Sequence, residues 1–191
     1  MELKAMELNA AELNAAERAR NAAQRTRPAG LLAAGRSAGE PADRLALRDL
    51  VDSYAAAVDA RDEELFVALF ADDAVLQVCY ANLDEPATTV TGAAAMAVIP
   101  RALRARYPET IHLVGNHRCQ VDGDSAVGET YCEAHHLHLG ADGEPADLRM
   151  VIRYADAYTR GGDGVWRFAR RTVNARWQQV GPVTASALHR P

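Results

Sequence analysis

An α+β domain is what this chain predicts, because helical periodicity fills its middle and long hairpin-linked strands fill its last third. The composition agrees: 49% hydrophobic and 25% charged residues within 191 suit one globular domain plus an extension. Helices that precede a run of strands cover one face of an antiparallel sheet, and a curved sheet closed in that way leaves a pocket between its layers.

The chain opens on a repeat of period five, MELKA, MELNA, AELNA, AERAR. Alanine, glutamate and leucine favour helix, but five residues turn a helix by about 140°, so Leu3, Leu8 and Leu13 form no continuous stripe and no coiled-coil heptad. Residues 1–42 therefore read as a low-complexity tail and linker, ending in RPAGLLAAGRSAGEPAD. From Asp43 onward, Leu47, Leu50, Val51, Tyr54 and Val58 recur at helical spacing and define one buried stripe. Asp62 can cap a second helix, DEELFVALFADDA, before a strand VLQVCYA and a shorter one, TTVTG. AAAMAVIPRALRARY reads as a helix kinked or interrupted at Pro100. Four strands follow, TIHLVGNHRCQV, SAVGETYCEAHHLHL, LRMVIRYADAYTR and GVWRFARRTVNARW, with turns at DGDS and RGGDG.

Bulk properties narrow the function. A net charge of −5 with no basic face argues against nucleic acid. No apolar run approaches the ~20 residues of a membrane span, and no secretory signal pattern opens the chain. Cys79, Cys119 and Cys132 are odd in number and lack C-x-x-C spacing, so reduced thiols in a cytoplasmic protein are expected. The outer face of an open curved sheet is often too apolar to leave wet, which predicts a homodimer or homotrimer.

Three features carry candidate chemistry: Tyr54 with Asp59 on the first long helix, His112 on one strand, and the pair His135 and His136 on the next. Periodicity alone puts Asp59 at the flank of the apolar stripe. Alternation puts Val114 and Asn116 on the face of His112. A two-residue turn at Gly123-Asp124 sets His112 across from His135, whereas a three-residue Gly-Asp-Ser loop sets it across from His136. The second arrangement is favoured, because Thr130, Cys132 and Ala134 on the face of His136 are small, as a pocket wall needs. His136 and His138 also share a face and could ligate zinc with His112, but no further Cys or His spacing supports a metal, and none is expected. Arg149 and Arg153 share a face of the third long strand, while Arg170, Arg171 and Arg176 crowd the last. One of them turned inward could hold a carboxylate or carbonyl, and Arg153 is carried forward as that candidate. Tyr80 is a candidate donor near the cavity mouth.

The stretches SYAAAVDARDEELFVALFADDAV, IHLVGN, GDSAVGETYCEAHHL and YTRGGDGVWRFARRTVNARW resemble the SnoaL-like branch of the nuclear transport factor 2-like superfamily, over residues 43–178. The resemblance implies a cone, a curved antiparallel sheet wrapped over helices around one deep cavity, with 179–191 as a tail. It also implies an activity, since similar enzymes include dehydratases, a dehydrochlorinase, polyketide cyclases and steroid isomerases, many of them using a metal-free Asp-His dyad. On that pattern Asp59 and His112 form the dyad, Tyr54 donates to a developing enolate oxygen, and His136 joins as a second histidine. His135, Tyr80, Asn116 and Arg153 stand as substrate-binding candidates. The expected function is a cofactor-free lyase, dehydratase or cyclase in type, acting on a hydrophobic ring-containing molecule such as a polyketide or steroid-like metabolite. The alternative is a binding or scaffold protein of the same fold, like the small subunit of a ring-hydroxylating dioxygenase, which has no chemical need for Asp59, His112 and Tyr54 together.

Overall fold

A computed structural model describes residues 41–184. The expected tail and linker over 1–42 thus lie outside the described residues apart from Pro41 and Ala42, which open the first helix. Helix α1 (Pro41–Ala60) buries Leu47, Leu50, Val51, Tyr54 and Val58, the stripe its spacing predicts. Asp43 in its first turn accepts hydrogen bonds from Arg160 Nη1 at 2.7 Å and Trp166 Nε1 at 3.0 Å, fastening the helix start to the far end of the sheet.

Helix α2 (Glu63–Ala68) begins at the cap foreseen, with the Asp62 carboxylate accepting from Leu65 N–H at 2.9 Å. It stops earlier than its periodicity suggests. Strand β1 (Phe70–Tyr80) starts at Phe70, because Phe168 N–H donates to Leu69 O at 2.9 Å and the register then shifts between Phe70 and Val75. Tertiary pairing overrides a weak local helical preference there. After β2 (Thr88–Thr91), a 3₁₀ turn (Ala93–Ala97) leads into α3 (Val98–Arg106). The break expected at Pro100 falls just before α3 instead. Pro100 sits in the first turn, where its missing N–H has no helical partner to lose.

Strands β3 (Glu109–Asp122), β4 (Ser125–Leu139), β5 (Pro145–Arg160) and β6 (Trp166–Pro182) make three successive hairpins, and β6 runs on past residue 178. The six strands form one curved, unclosed sheet in the order β2-β1-β6-β5-β4-β3. All pairs are antiparallel except β1 with β6, which is parallel. The architecture is the α+β cone, with helices covering the inner face of the sheet.

The middle of the core holds an ion pair rather than hydrocarbon alone. Arg171 and Asp156 are both fully buried and joined by two bonds of 2.9 Å. The guanidinium lies 4.1–4.2 Å from the ring centres of Tyr54, Tyr154 and Phe168. Tyr158 donates to Oδ2 of the same carboxylate at 3.0 Å, and it can lie there because β4 carries Gly128 at that point. A Cβ on Gly128 would meet the Tyr158 ring and hydroxyl at 2.8 Å. Removing one partner of such a pair strands a buried charge, which costs about 3–5 kcal/mol. Asp156→Ala should therefore lower the free energy of unfolding by about that amount, measured by urea denaturation. A loss under 1 kcal/mol, roughly the value of an exposed pair, would show that Arg171 finds other solvation.

Candidate active site

The site begins where α1 ends. Arg61 adopts φ 60°, with Asp62 N–H donating to Ala57 O at 3.0 Å and Arg61 N–H to Val58 O at 3.2 Å. This is the Schellman ending that usually carries glycine. Arginine holds it because its side chain caps the same turn: Nη1 donates to Val58 O at 2.7 Å and to Thr110 Oγ1 at 2.5 Å, and Nη2 to Tyr107 O at 3.2 Å. The helix terminus is thereby tied to the start of β3, and Asp59 faces that strand.

Asp59 takes three hydrogen bonds from β3. His112 Nδ1 lies 2.7 Å from Oδ1, Thr110 Oγ1 donates to Oδ1 at 2.8 Å, and the His112 backbone N–H donates to Oδ2 at 2.8 Å. Burial pushes the Asp59 carboxyl upward, but the bonds and charge from His112 and the Thr110 hydroxyl more than offset it, so the group is held below the ordinary range. A carboxylate against Nδ1 assigns the proton to that nitrogen and leaves Nε2 as the basic one. The side chain of His112 is only 7% exposed.

His136 lies on the same face, with its ring 5.6 Å from that of His112. The register differs from the one favoured on sequence. The hairpin turn has two residues, with Asp122 opposite Ser125 and Gly123 at φ 58°, as the first position of a type II′ turn requires. A bulge between Val114 and His117 then shifts the pairing, so His112 faces Ala134, and His136 stands diagonally beside it. Burial pushes His136 down to about 4, outweighing the upward pull of its Nδ1 bond to Leu148 O at 3.1 Å, so it is neutral near pH 7. With that carbonyl as partner, Nδ1 is the donor.

The remaining candidates are arranged differently. Tyr54 is buried, its ring 5.1–6.3 Å from Phe66, Phe70, Tyr154 and Phe168, and Arg171 covers its face; it belongs to the aromatic core rather than to the dyad's ring contacts. Burial raises its phenol to about 12, so it is an O–H donor and not a base. His135 points to the outer face, between Asp147 at 2.6 Å and Glu133 at 3.3 Å. Arg153 also lies outside, bound to Glu129 and stacked 5.0 Å over Tyr131. Strand alternation forces both outward once His136, Ile152 and Tyr154 face in. Asn116 is exposed because the bulge breaks the alternation after Val114. Tyr80 packs half-buried against the core at the end of β1 and takes no part in the dyad's hydrogen bonds.

The bulge puts His117 on the inner face instead, 3.4 Å from the Tyr158 hydroxyl, where burial lowers its affinity for a proton. Gly115 was the sequence signal for it, since glycine inside a strand pattern marks a bulge. The inward arginine is Arg171, and its Nη1 and the Oγ1 of Thr130, opposite His117 on β4, are buried without a protein partner. Tyr107, the residue closing α3, was also missed. Its ring stacks 4.9 Å from His136 and lines a groove of about 660 Å³ together with Arg104, Arg106, His138, Leu148 and Val180. Among the described residues no helix is long and apolar enough to cross a membrane, and no cluster of three or more His, Cys, Asp or Glu is placed to hold a metal.

The family model of the SnoaL-like domain matches residues 40–172, and the chain belongs to that family, within the nuclear transport factor 2-like superfamily. An uncharacterised protein of Mycobacterium tuberculosis is 26% identical over 156 residues, covering 75% of this chain and 92% of that one. A hexachlorocyclohexane dehydrochlorinase, LinA type 3 of Novosphingobium barchaimii, has a similar structure (TM-score 0.61, 24% identity, 78% of this chain and 96% of that one). So has a candidate scytalone dehydratase of Novosphingobium aromaticivorans (TM-score 0.63, 21% identity, 76% and 91%). At these identities the two structures establish the shared fold.

Two outcomes follow from the geometry. Thr110→Val removes a bond that holds the Asp59 carboxyl down, so its titration, followed by carbon NMR, should move upward, and an unchanged midpoint would deny Thr110 that role. His136 binds its proton less readily folded than unfolded, so the unfolded chain takes up more protons between ~6.5 and about 4. Its contribution to stability is full above the upper value and lost as pH falls through that window. His136→Gln should flatten that part of the stability–pH curve.

Proposed function

We propose that the protein is a cofactor-free acid–base lyase, of dehydratase or cyclase type, acting on a hydrophobic ring-containing molecule such as a polyketide or steroid-like metabolite. The observation that carries this reading is the His112–Asp59 pair, bonded through Nδ1 at 2.7 Å so that the basic Nε2 is the nitrogen left for a substrate proton. The names of the two solved relatives, a dehydrochlorinase and a candidate dehydratase, support it, since both describe removal of a proton and a leaving group from one molecule.

His112 Nε2 takes the proton from a carbon next to the one bearing the leaving group. The C–H electrons become the new double bond, and the electrons of the breaking bond depart with the leaving group. Asp59 keeps the imidazole in one tautomer and stabilises the imidazolium that forms. For a departing hydroxide, the same imidazolium returns its proton and water leaves, which restores the base. His136, neutral by virtue of its burial, adds no positive charge beside His112 to resist that imidazolium.

His112→Gln should lower turnover by about 10²–10⁴-fold while ligand affinity changes little, and Asp59→Asn should do the same because it keeps the shape but loses the charge. The check is kcat against KM for both variants on candidate hydroxylated ring substrates. Turnover that survives both substitutions would reject the dyad, and binding without turnover would move the protein to the scaffold reading.

A further inference from the structure

Resting on His112 as the substrate's base, we propose that the groove beside the site receives the anionic end of the substrate, which is an amphiphile with an apolar ring body and a terminal carboxylate or phosphate. Three observations lead there. Arg104, Arg106 and His138 line the groove, and no acidic residue does, although the chain as a whole holds 26 Asp and Glu against 21 Lys and Arg. The positive character is therefore local to this opening, and a concave wall focuses it.

The cations are also held ready. Arg104 donates through Nη2 to Arg61 O at 2.7 Å, on the same turn that positions Asp59. Arg106 lies 5.5 Å over the Tyr107 ring. Arginine presents a planar fork of donors suited to carboxylate and phosphate oxygens, and a fork already placed loses less freedom on binding.

The groove lies beside the chemistry, although His136, His112 and Asp59 are not among the residues that line it. Tyr107, part of its wall, stacks at 4.9 Å on His136, which stands 5.6 Å from His112. Leu148, another wall residue, supplies the carbonyl that fixes the His136 ring. A ligand with its charged end between the arginines would bring its reacting carbon to His112 by passing the Tyr107 and His136 rings. Leu148 and Val180 give the intervening body an apolar wall, and about 660 Å³ accommodates a fused-ring molecule.

The test uses two matched probe pairs on the full-length protein: 4-(2-naphthyl)butanoate with its primary amide, and 4-(2-naphthyl)butyl phosphate with the parent alcohol. Affinity is read by titration calorimetry at two salt concentrations. At least one anion should bind about tenfold tighter than its neutral counterpart, the better of the two identifying the group, and the preference should shrink in higher salt. Arg106→Ala, a change at an exposed position, should abolish the preference while the neutral probes bind as before. His112→Gln should keep the preference intact, so a failure of the dyad and a failure of the anion site give different results. Equal binding of anion and neutral probe, or a preference that survives Arg106→Ala and the Arg104→Ala, Arg106→Ala double variant, would overturn the proposal.

Discussion

The carboxylate of Asp59 joins the end of a helix to the edge of a sheet, and much else depends on that junction. Among the described residues strand β3 is the last in the sheet, and no described strand pairs with its outward N–H and C=O groups. Helix α1 satisfies them with side chains instead. Asp59 accepts the His112 N–H, and Arg48 donates to Gly115 O at 2.6 Å and Val114 O at 3.4 Å at the bulge. The same carboxylate that closes an open edge also orients the His112 ring. Structural need and chemical opportunity thus fall on one residue, which is why a half-exposed Asp at a helix terminus can have so fixed a geometry.

The interior is divided between two polar groups of different kinds. Near the end of α1 the histidines and Asp59 sit beside an open groove, with Tyr107 between that groove and His136. Deeper in the cone, Arg171 and Asp156 form a pair enclosed by aromatic rings, with Tyr158 and His117 extending the hydrogen-bonded chain. A buried pair of this sort gives little net stability over well-packed hydrocarbon. It does fix which way β5 and β6 face, because reversing either strand would strand a charge.

How much of this was legible in the sequence varied with the range of the interaction. The stripe on α1 and the long strands β3–β6 are local patterns, and the spacing of Leu47, Leu50, Val51, Tyr54 and Val58 was enough to find the first. The inward face of His136 was readable from its small neighbours Thr130, Cys132 and Ala134, although the turn that goes with it has two residues and not three. A two-residue turn and a bulge produce the same face by shifting register twice. Periodicity left Asp59 at the flank of its helix, and only family resemblance brought it to His112. Asn116 and Arg153 lie outside the inner face because one bulge and strict alternation decide faces that residue chemistry does not, and His135 points away from His136 as the next residue of a strand must. Strand β1 was cut short for a different reason: its first residue is a strand only because Phe168, far along the chain, pairs with it.

The way α1 is held at both ends has a consequence for how the chain is made. Its start is bonded to Arg160 and Trp166, 117 and 123 residues later, and its end to His112, 53 residues later. During synthesis the helix emerges before any of those partners exist, so its stripe has only the Phe66 and Phe70 side of its packing until β3 is made, and no clasp on its first turn until the β5–β6 hairpin is out. Closure of the cone is then a late event that joins the beginning of the domain to its last hairpin, and contacts of such long range slow folding. A ribosome that stalls before residue 166 would leave the first turn of α1 without the Trp166 bond that helps clasp it to the sheet.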